Sequence, residues 1–138
     1  MNPTNWFRRA AWLLLILAGL AWPVTHAIHS KRQENQVRTL LLTVQRALQE
    51  YHVSQERYIP RQELTGNELI AVLADFGFLE KLPLNPWSGV PWKLDGKEPD
   101  FLRYRTDPNF ETYALSALDS KTGQVFLEID SVKQPSIE

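Results

Sequence analysis

Residues 34–58 read ENQVRTLLLTVQRALQEYHVSQERY, and their pattern indicates the class of fold. Apolar residues recur here at alternating steps of four and three, as they do on one face of an α-helix. They are Val37, Leu41, Val44, Leu48 and Tyr51, with Leu40 and Ala47 beside them. The other side of the helix is polar. This stripe is too wide and too short for a free coiled coil, so it predicts a helix packed on a sheet. We expect the helix to end near Tyr58, ahead of Pro60.

A second, shorter helix is predicted directly after the first. Thr65 and Glu68 match the S/T-x-x-E capping box, which satisfies backbone N–H groups at a helix N-terminus. An apolar face follows from residue 69 to residue 76, and Gly77 is a natural residue to end the helix.

The rest of the chain is turn-rich and then strand-like. The stretch Asn85–Trp92 reads NPWSGVPW, and its two tryptophans predict an ordered loop. Four strands are expected, at residues 92–94, 101–104, 113–118 and 125–129, with an Asp95–Gly96 turn after the first. A long helix, a short helix, a loop and an antiparallel meander make the fold α+β.

The segment before these elements is apolar and flanked by basic residues. Residues 10–28 contain no charged residue, and 19 helical residues cover ~28 Å, close to the ~30 Å of a hydrocarbon core. The segment is either a retained membrane anchor or a signal peptide, since the small residues around His26 allow cleavage after Ala27. In both cases the larger domain lies outside the cytoplasm.

Composition and motifs argue against most kinds of chemistry. The chain has 15 basic and 16 acidic residues, so its charge does not favour nucleic acid. It has no cysteine, and it lacks the nucleophile-elbow, P-loop and dinucleotide-binding motifs. We therefore predict a protein that is not an enzyme, with no catalytic residue, no resident cofactor and no small-molecule substrate.

Calcium and a partner protein are the remaining candidate ligands. Asp119, Ser120 and Asp130 offer hard oxygen atoms for calcium, although a plain hairpin turn is the alternative. Trp87 and Trp92 could form an exposed surface for partner subunits, or fill the gap between a helix and the sheet edge.

The order of these elements resembles that of a known family. The chain is similar to the pseudopilins of type II secretion and other type IV pilin-like proteins. The similarity rests on an apolar helix with Pro23 near its end, a helix ending QRALQEYHVSQERYIP, the stretch FGFLEKLPLNPWSGVPW and strands such as YALSALD. The major pseudopilin is the nearest in pattern. Residues 82–92 follow the family's leucine–proline–x–aspartate–proline–tryptophan–glycine motif, with one inserted residue and Asn85 in place of the aspartate.

Two departures concern processing and polymerisation. Prepilins carry a glycine before the apolar run and a glutamate five residues into the mature chain, and residues 8–12, RRAAW, contain neither. The family's calcium loop is also shortened, because residues 119–123 lead at once into a strand. The resemblance therefore implies a degenerate pilin-like protein that is either a minor component or an accessory subunit.

The resemblance implies a pilin-like domain with an assembly role. We expect an N-terminal membrane helix or signal peptide at 1–30, a pilin-like periplasmic domain at 31–130 and a flexible tail at 131–138. The expected location is the bacterial inner membrane, with one pass and the domain in the periplasm. The expected partners are other pilin-like subunits or secretion-system proteins. Contact residues would be Trp87, Trp92 and the small residues Ala18, Gly19 and Ala21, which allow close helix approach. The alternative is a soluble periplasmic binding module released after Ala27.

Overall fold

The computed structural model describes residues 30–131, and the chain divides into two compact units, Met1–Asn35 and Gln36–Glu138. In the first unit the described residues, 30–35, are helical and exposed. The predicted membrane segment and tail lie outside the described residues, apart from Ser30 and Ser131.

Two helices and four strands make up the described residues, and the fold is α+β as predicted. Helix α1 comprises residues 30–55, and helix α2 spans Gly66–Asp75. The strands are β1 at Glu63–Thr65, β2 at Leu102–Thr106, β3 at Tyr113–Leu118 and β4 at Val125–Asp130. They form one antiparallel sheet in the order β1-β2-β3-β4.

The core joins the stripe of α1 to one face of the sheet, as the helical spacing predicts. From Val37 to Tyr51 every residue of that stripe is buried, in one cluster with alternate residues of β1, β2 and β3. The strand residues of the cluster are Leu64, Leu102, Tyr104, Tyr113, Leu115 and Ala117. The alternate residues of the strands and the apolar stripe of α1 therefore pack into the same core.

Helix α1 ends three residues earlier than predicted. Its last residue is Gln55, and Glu56 takes a left-handed backbone conformation with φ of 59°. The N–H of Tyr58 then donates to the carbonyl of Phe110 at 2.9 Å. The chain leaves the helix because this long-range hydrogen bond draws it towards the loop before β3.

Both predicted ends of α2 are confirmed. The Thr65 hydroxyl accepts from the Glu68 N–H, and the Glu68 carboxylate accepts from the Thr65 N–H, which is the capping box. At the other end Gly77 has φ of 79°, and the N–H groups of Gly77 and Phe78 donate to the carbonyls of Ala74 and Leu73. This is a Schellman motif.

The sheet has four strands as predicted, but the prediction of which residues form the first strand is wrong. Residues 92–94 form no strand, and the place beside β2 is taken by β1, where Leu64 lies opposite Tyr104. A three-residue strand is too short for an alternating pattern to reveal it. Strand β3 has the predicted bounds, whereas β2 and β4 extend to residues 106 and 130.

Candidate partner-binding loop

The segment between α2 and β2 contains both tryptophans of the described residues, and we call residues 83–101 the tryptophan loop. It opens as a small hairpin. The Asn85 N–H donates to the Val90 carbonyl at 2.9 Å, and the Trp92 N–H donates to the Pro83 carbonyl at 2.8 Å. Leu84 and Pro91 lie opposite each other between these two bonds. The loop is ordered, as its tryptophans predict.

Asn85 holds the hairpin together from inside. Its side chain is fully buried, its Nδ2 donates to the Pro99 carbonyl at 2.9 Å, and its Oδ1 accepts from the Trp87 N–H at 3.0 Å. Both ends of the amide are therefore paired, which is what a buried polar group requires. Asn85 is therefore a structural anchor of the loop.

Trp92 is attached to the start of α2. Its side chain is 1% exposed, and its indole Nε1 donates to Asn67 Oδ1 at 2.8 Å. The Asn67 Nδ2 points to the carbonyls of Gly96 and Glu98, each at 3.3 Å. Trp92 is consequently a core residue and cannot contact a partner in this conformation, so the gap-filling alternative holds for it.

The Asp100 carboxylate connects the far end of the loop to the same helix terminus. Its Oδ1 accepts from the Gly66 N–H at 2.9 Å and its Oδ2 accepts from the Asn67 N–H at 2.8 Å. A carboxylate at a helix N-terminus is favourable because unpaired N–H groups and the helix dipole both attract negative charge. Arg103 lies 3.3 Å from the same carboxylate.

Trp87 remains accessible, unlike Trp92. It is half-buried, with its ring centroid 5.6 Å from that of Phe101 and 6.4 Å from that of Trp92. The exposed apolar residues of the loop are Leu84, Val90 and Leu94. The apolar part of the exposed surface lies on the hairpin at Leu84 and Val90, whereas the second half of the loop also exposes Lys93, Asp95 and Lys97. That Trp87 contacts a partner stays a prediction.

The predicted calcium ligands are not brought together. Asp119 follows β3, whereas Asp130 ends β4 opposite Ala114 at the other end of the hairpin. At ~3.3 Å per residue the four steps from Ala114 to Leu118 span ~13 Å, too far for one ion. Within residues 30–131 no group of three His, Asp or Glu side chains is placed to hold a metal ion.

Asp119 has a local role in its turn. Its Oδ1 accepts from the N–H groups of Thr122 and Lys121, both at 2.8 Å. These bonds lower the pKa of Asp119 below its ordinary value, and the bond from the Thr122 N–H has the largest effect on it. Ser120 is exposed on the same turn. The arrangement is that of a plain hairpin turn, the alternative to a calcium loop.

Several predicted site residues have no described position. Ala18, Gly19, Ala21 and the cleavage residue Ala27 lie outside residues 30–131. Of the described helices, none is both long and apolar enough to cross a membrane.

Sequence reasoning missed the residues that hold the loop. Asn67 and Asp100, which are joined by a hydrogen bond, lie 33 positions apart in the chain. Only the capping box gave a local signal that α2 begins after Thr65, and it did not reveal that the Asp100 carboxylate also accepts hydrogen bonds at this helix terminus.

No protein-family model, no curated protein and no solved structure matches the chain.

Proposed function

We propose that the chain is a non-enzymatic, pilin-like subunit or accessory component of a type II secretion or type IV pilus-like assembly. The observation that carries the proposal is the arrangement of α1. Its apolar stripe forms a single core with an antiparallel sheet, and the uncharged run 10–28 stops just before its first described residue. A domain built on the helix that follows such a run would be held directly at a membrane surface.

The tryptophan loop supports the same proposal. It is rigid, because its buried polar groups are paired, and it still exposes Leu84 and Val90. Pre-ordered apolar surface is what a binding site needs, since little conformational freedom is lost on association. In this proposal the protein is anchored in the bacterial inner membrane, its domain faces the periplasm, and the loop contacts another subunit.

The second candidate is a soluble periplasmic binding module released after Ala27. One observation favours it: all the buried residues of the described core lie at or beyond Val37. A chain beginning at Ile28 would keep that whole core. Retention of the apolar run is therefore the property that separates the two candidates.

A single-cysteine variant tests location and contact together, because the chain contains no cysteine of its own. Val90→Cys would be expressed in the native host, labelled with a benzophenone maleimide, irradiated so that the benzophenone inserts into a C–H bond of any neighbouring protein, and recovered from membranes and from the periplasm. We expect intact-mass analysis to find a membrane-bound chain that retains residues 1–27 and cross-links to another protein. Ser54→Cys, exposed near the end of α1, is the control and should give little adduct.

Each result decides between the candidates. A soluble chain starting at Ile28 would replace the assembly proposal with the released module. A retained chain that cross-links equally well from positions 90 and 54 would remove the tryptophan loop as the contact site.

A further inference from the structure

The two edges of the sheet differ in how open they are. Strand β1 has three residues and runs directly into α2, with Pro60 shortly before it. Strand β4 has six residues, contains neither proline nor lysine, and is the last strand of the described sheet. Natural proteins shield long edges with such residues, because an open edge pairs readily with another strand. Strand β4 carries a bulge at its start, where Leu118 pairs with Val125 and Ala117 pairs with Leu127, but from Leu127 to Asp130 the described strand has no bulge, proline or lysine.

The hydrogen-bond pattern shows which backbone groups β4 presents. The Ser131 N–H donates to the Tyr113 carbonyl at 3.0 Å, so residue 131 faces β3. Backbone N–H and carbonyl groups point alternately to the two sides of an antiparallel strand. Those of Ile129 and Leu127, which lie opposite Leu115 and Ala117, therefore point towards β3 as well. The N–H and carbonyl of Glu128 point away from the sheet, where an added strand would bind.

The side chains on the face opposite the core form ordered rows. One row crosses the sheet through Thr65, Arg103, Ser116 and Glu128. Its acidic end is held in place, because the Ser116 hydroxyl donates to Glu128 Oε2 at 2.7 Å. Arg103 is two strands away beside Asp100, and no Lys or Arg of the described residues pairs with Glu128.

An apolar row lies next to this charged row and reaches the same edge. The Leu118 N–H donates to the Phe101 carbonyl at 2.7 Å, and Leu118 lies opposite Val125. The row starts at Trp87, which packs on Phe101, and ends at Val125 and Phe126, 52% and 43% exposed. It therefore becomes more exposed towards β4.

We propose that β4 is a docking edge for an extended strand of another protein, one with a basic side chain opposite Glu128 and apolar side chains beside Val125 and Phe126. Such a strand would extend the sheet by main-chain hydrogen bonds, and its side chains would set specificity. Opposite charges directly across a strand pair are favourable, whereas like charges are not.

A second copy of this chain fits the edge less well. Antiparallel self-pairing centred on Glu128 places two carboxylates opposite each other. Centred on Leu127, it places each Glu128 carboxylate opposite Phe126. Charge complementarity thus favours a basic strand from a different protein. The inference concerns residues 87–131 and does not depend on whether the apolar run 10–28 is retained.

Two synthetic peptides test the proposal on the full chain in a mild non-ionic detergent. The first is Thr-Val-Lys-Val-Val-Val-Thr, in which the lysine and the valine two positions after it share one face, and the second has glutamate in place of the lysine. By fluorescence anisotropy we expect the lysine peptide to bind at least tenfold more tightly. Glu128→Lys should reverse that preference. Glu111→Lys, an exposed carboxylate in the loop before β3, is the matched control and should retain it.

Amide hydrogen exchange supplies a backbone readout. The Glu128 N–H should exchange rapidly in the free protein and slow at least tenfold when the lysine peptide is bound. Equal affinity of the two peptides, no binding of the lysine peptide, or unchanged exchange at Glu128 would each overturn the proposal. So would a dimer that dissociates on Glu128→Lys, because the occupant would then be a second copy.

Discussion

Gly66 shows how closely the loop and α2 approach each other. A Cβ atom at this position would lie 2.6 Å from Asp100 Oδ1 and 2.7 Å from Leu102 Cβ. Both neighbours are fixed, one by hydrogen bonds to the helix terminus and the other by burial in β2. The absence of a side chain at residue 66 therefore permits the junction of β1, α2 and β2.

Gly66→Ala should destabilise the protein by about 2 kcal/mol, since overpacking a site with fixed neighbours costs roughly 1–3 kcal/mol. Urea denaturation at pH 7 measures the free energy of unfolding. The control is Gly89→Ala, where φ is 75° but nothing lies within 4 Å of the new Cβ. It should lose only the backbone penalty of about 1 kcal/mol. Wild-type stability in Gly66→Ala would contradict the close approach.

At the scale of elements, α2 depends on two independent sets of acceptors at its N-terminus. Thr65 and Glu68 form the capping box, and Asp100 accepts from the next two N–H groups from a distant part of the chain. The helix start is thus tied both to its own sequence and to the tryptophan loop.

Asp100→Ala should lower the free energy of unfolding by about 2 kcal/mol, because it leaves the Gly66 and Asn67 N–H groups without an acceptor. Asp95→Ala is the matched control. Its carboxylate accepts from the Lys97 N–H in an exposed turn, so we expect a loss below about 0.5 kcal/mol. Similar urea midpoints for the two variants would show that Asp100 does not hold the loop to α2.

The elements differ in how far local pattern could predict them. Helix α2 has a start and a stop signal within a dozen residues, and β3 is a mostly apolar run between two turns, so both were predicted with correct bounds. Strand β1 has no such signal, because three residues cannot show a period. Residues 92–94 look like a strand in the sequence, but in the structure they form no strand and Trp92 is buried.

At the scale of the whole molecule, a cluster of aromatic side chains joins the end of α1 to the sheet. The rings of Tyr58 and Tyr113 are 4.7 Å apart, and those of Tyr104 and Tyr113 are 6.2 Å apart. Burial raises the pKa of Tyr113 to about 12 and raises that of Tyr104 as well. The folded protein therefore holds these phenolic protons more tightly than the unfolded chain does.

This difference predicts a loss of stability in alkaline solution. The raised pKa of Tyr113 contributes stability that is fully present below the ordinary value of 10.0 and is lost as the pH rises towards 12. Between pH 10 and 12 the urea midpoint should fall less steeply in Tyr113→Phe than in the wild-type protein. Equal slopes would show that residue 113 does not titrate with unfolding.

Local chemistry in the sequence was sufficient for the α+β class, the two helices, three of the four strands and a rigid tryptophan loop. Helical period, capping and turn residues act over a few positions, so they can be recognised in order along the chain. Tertiary structure alone decided that β1 replaces residues 92–94, that Trp92 is buried while Trp87 stays accessible, and that Asp119 and Asp130 lie apart. Those outcomes depend on hydrogen bonds and packing between residues that are tens of positions apart, and no local pattern records such contacts.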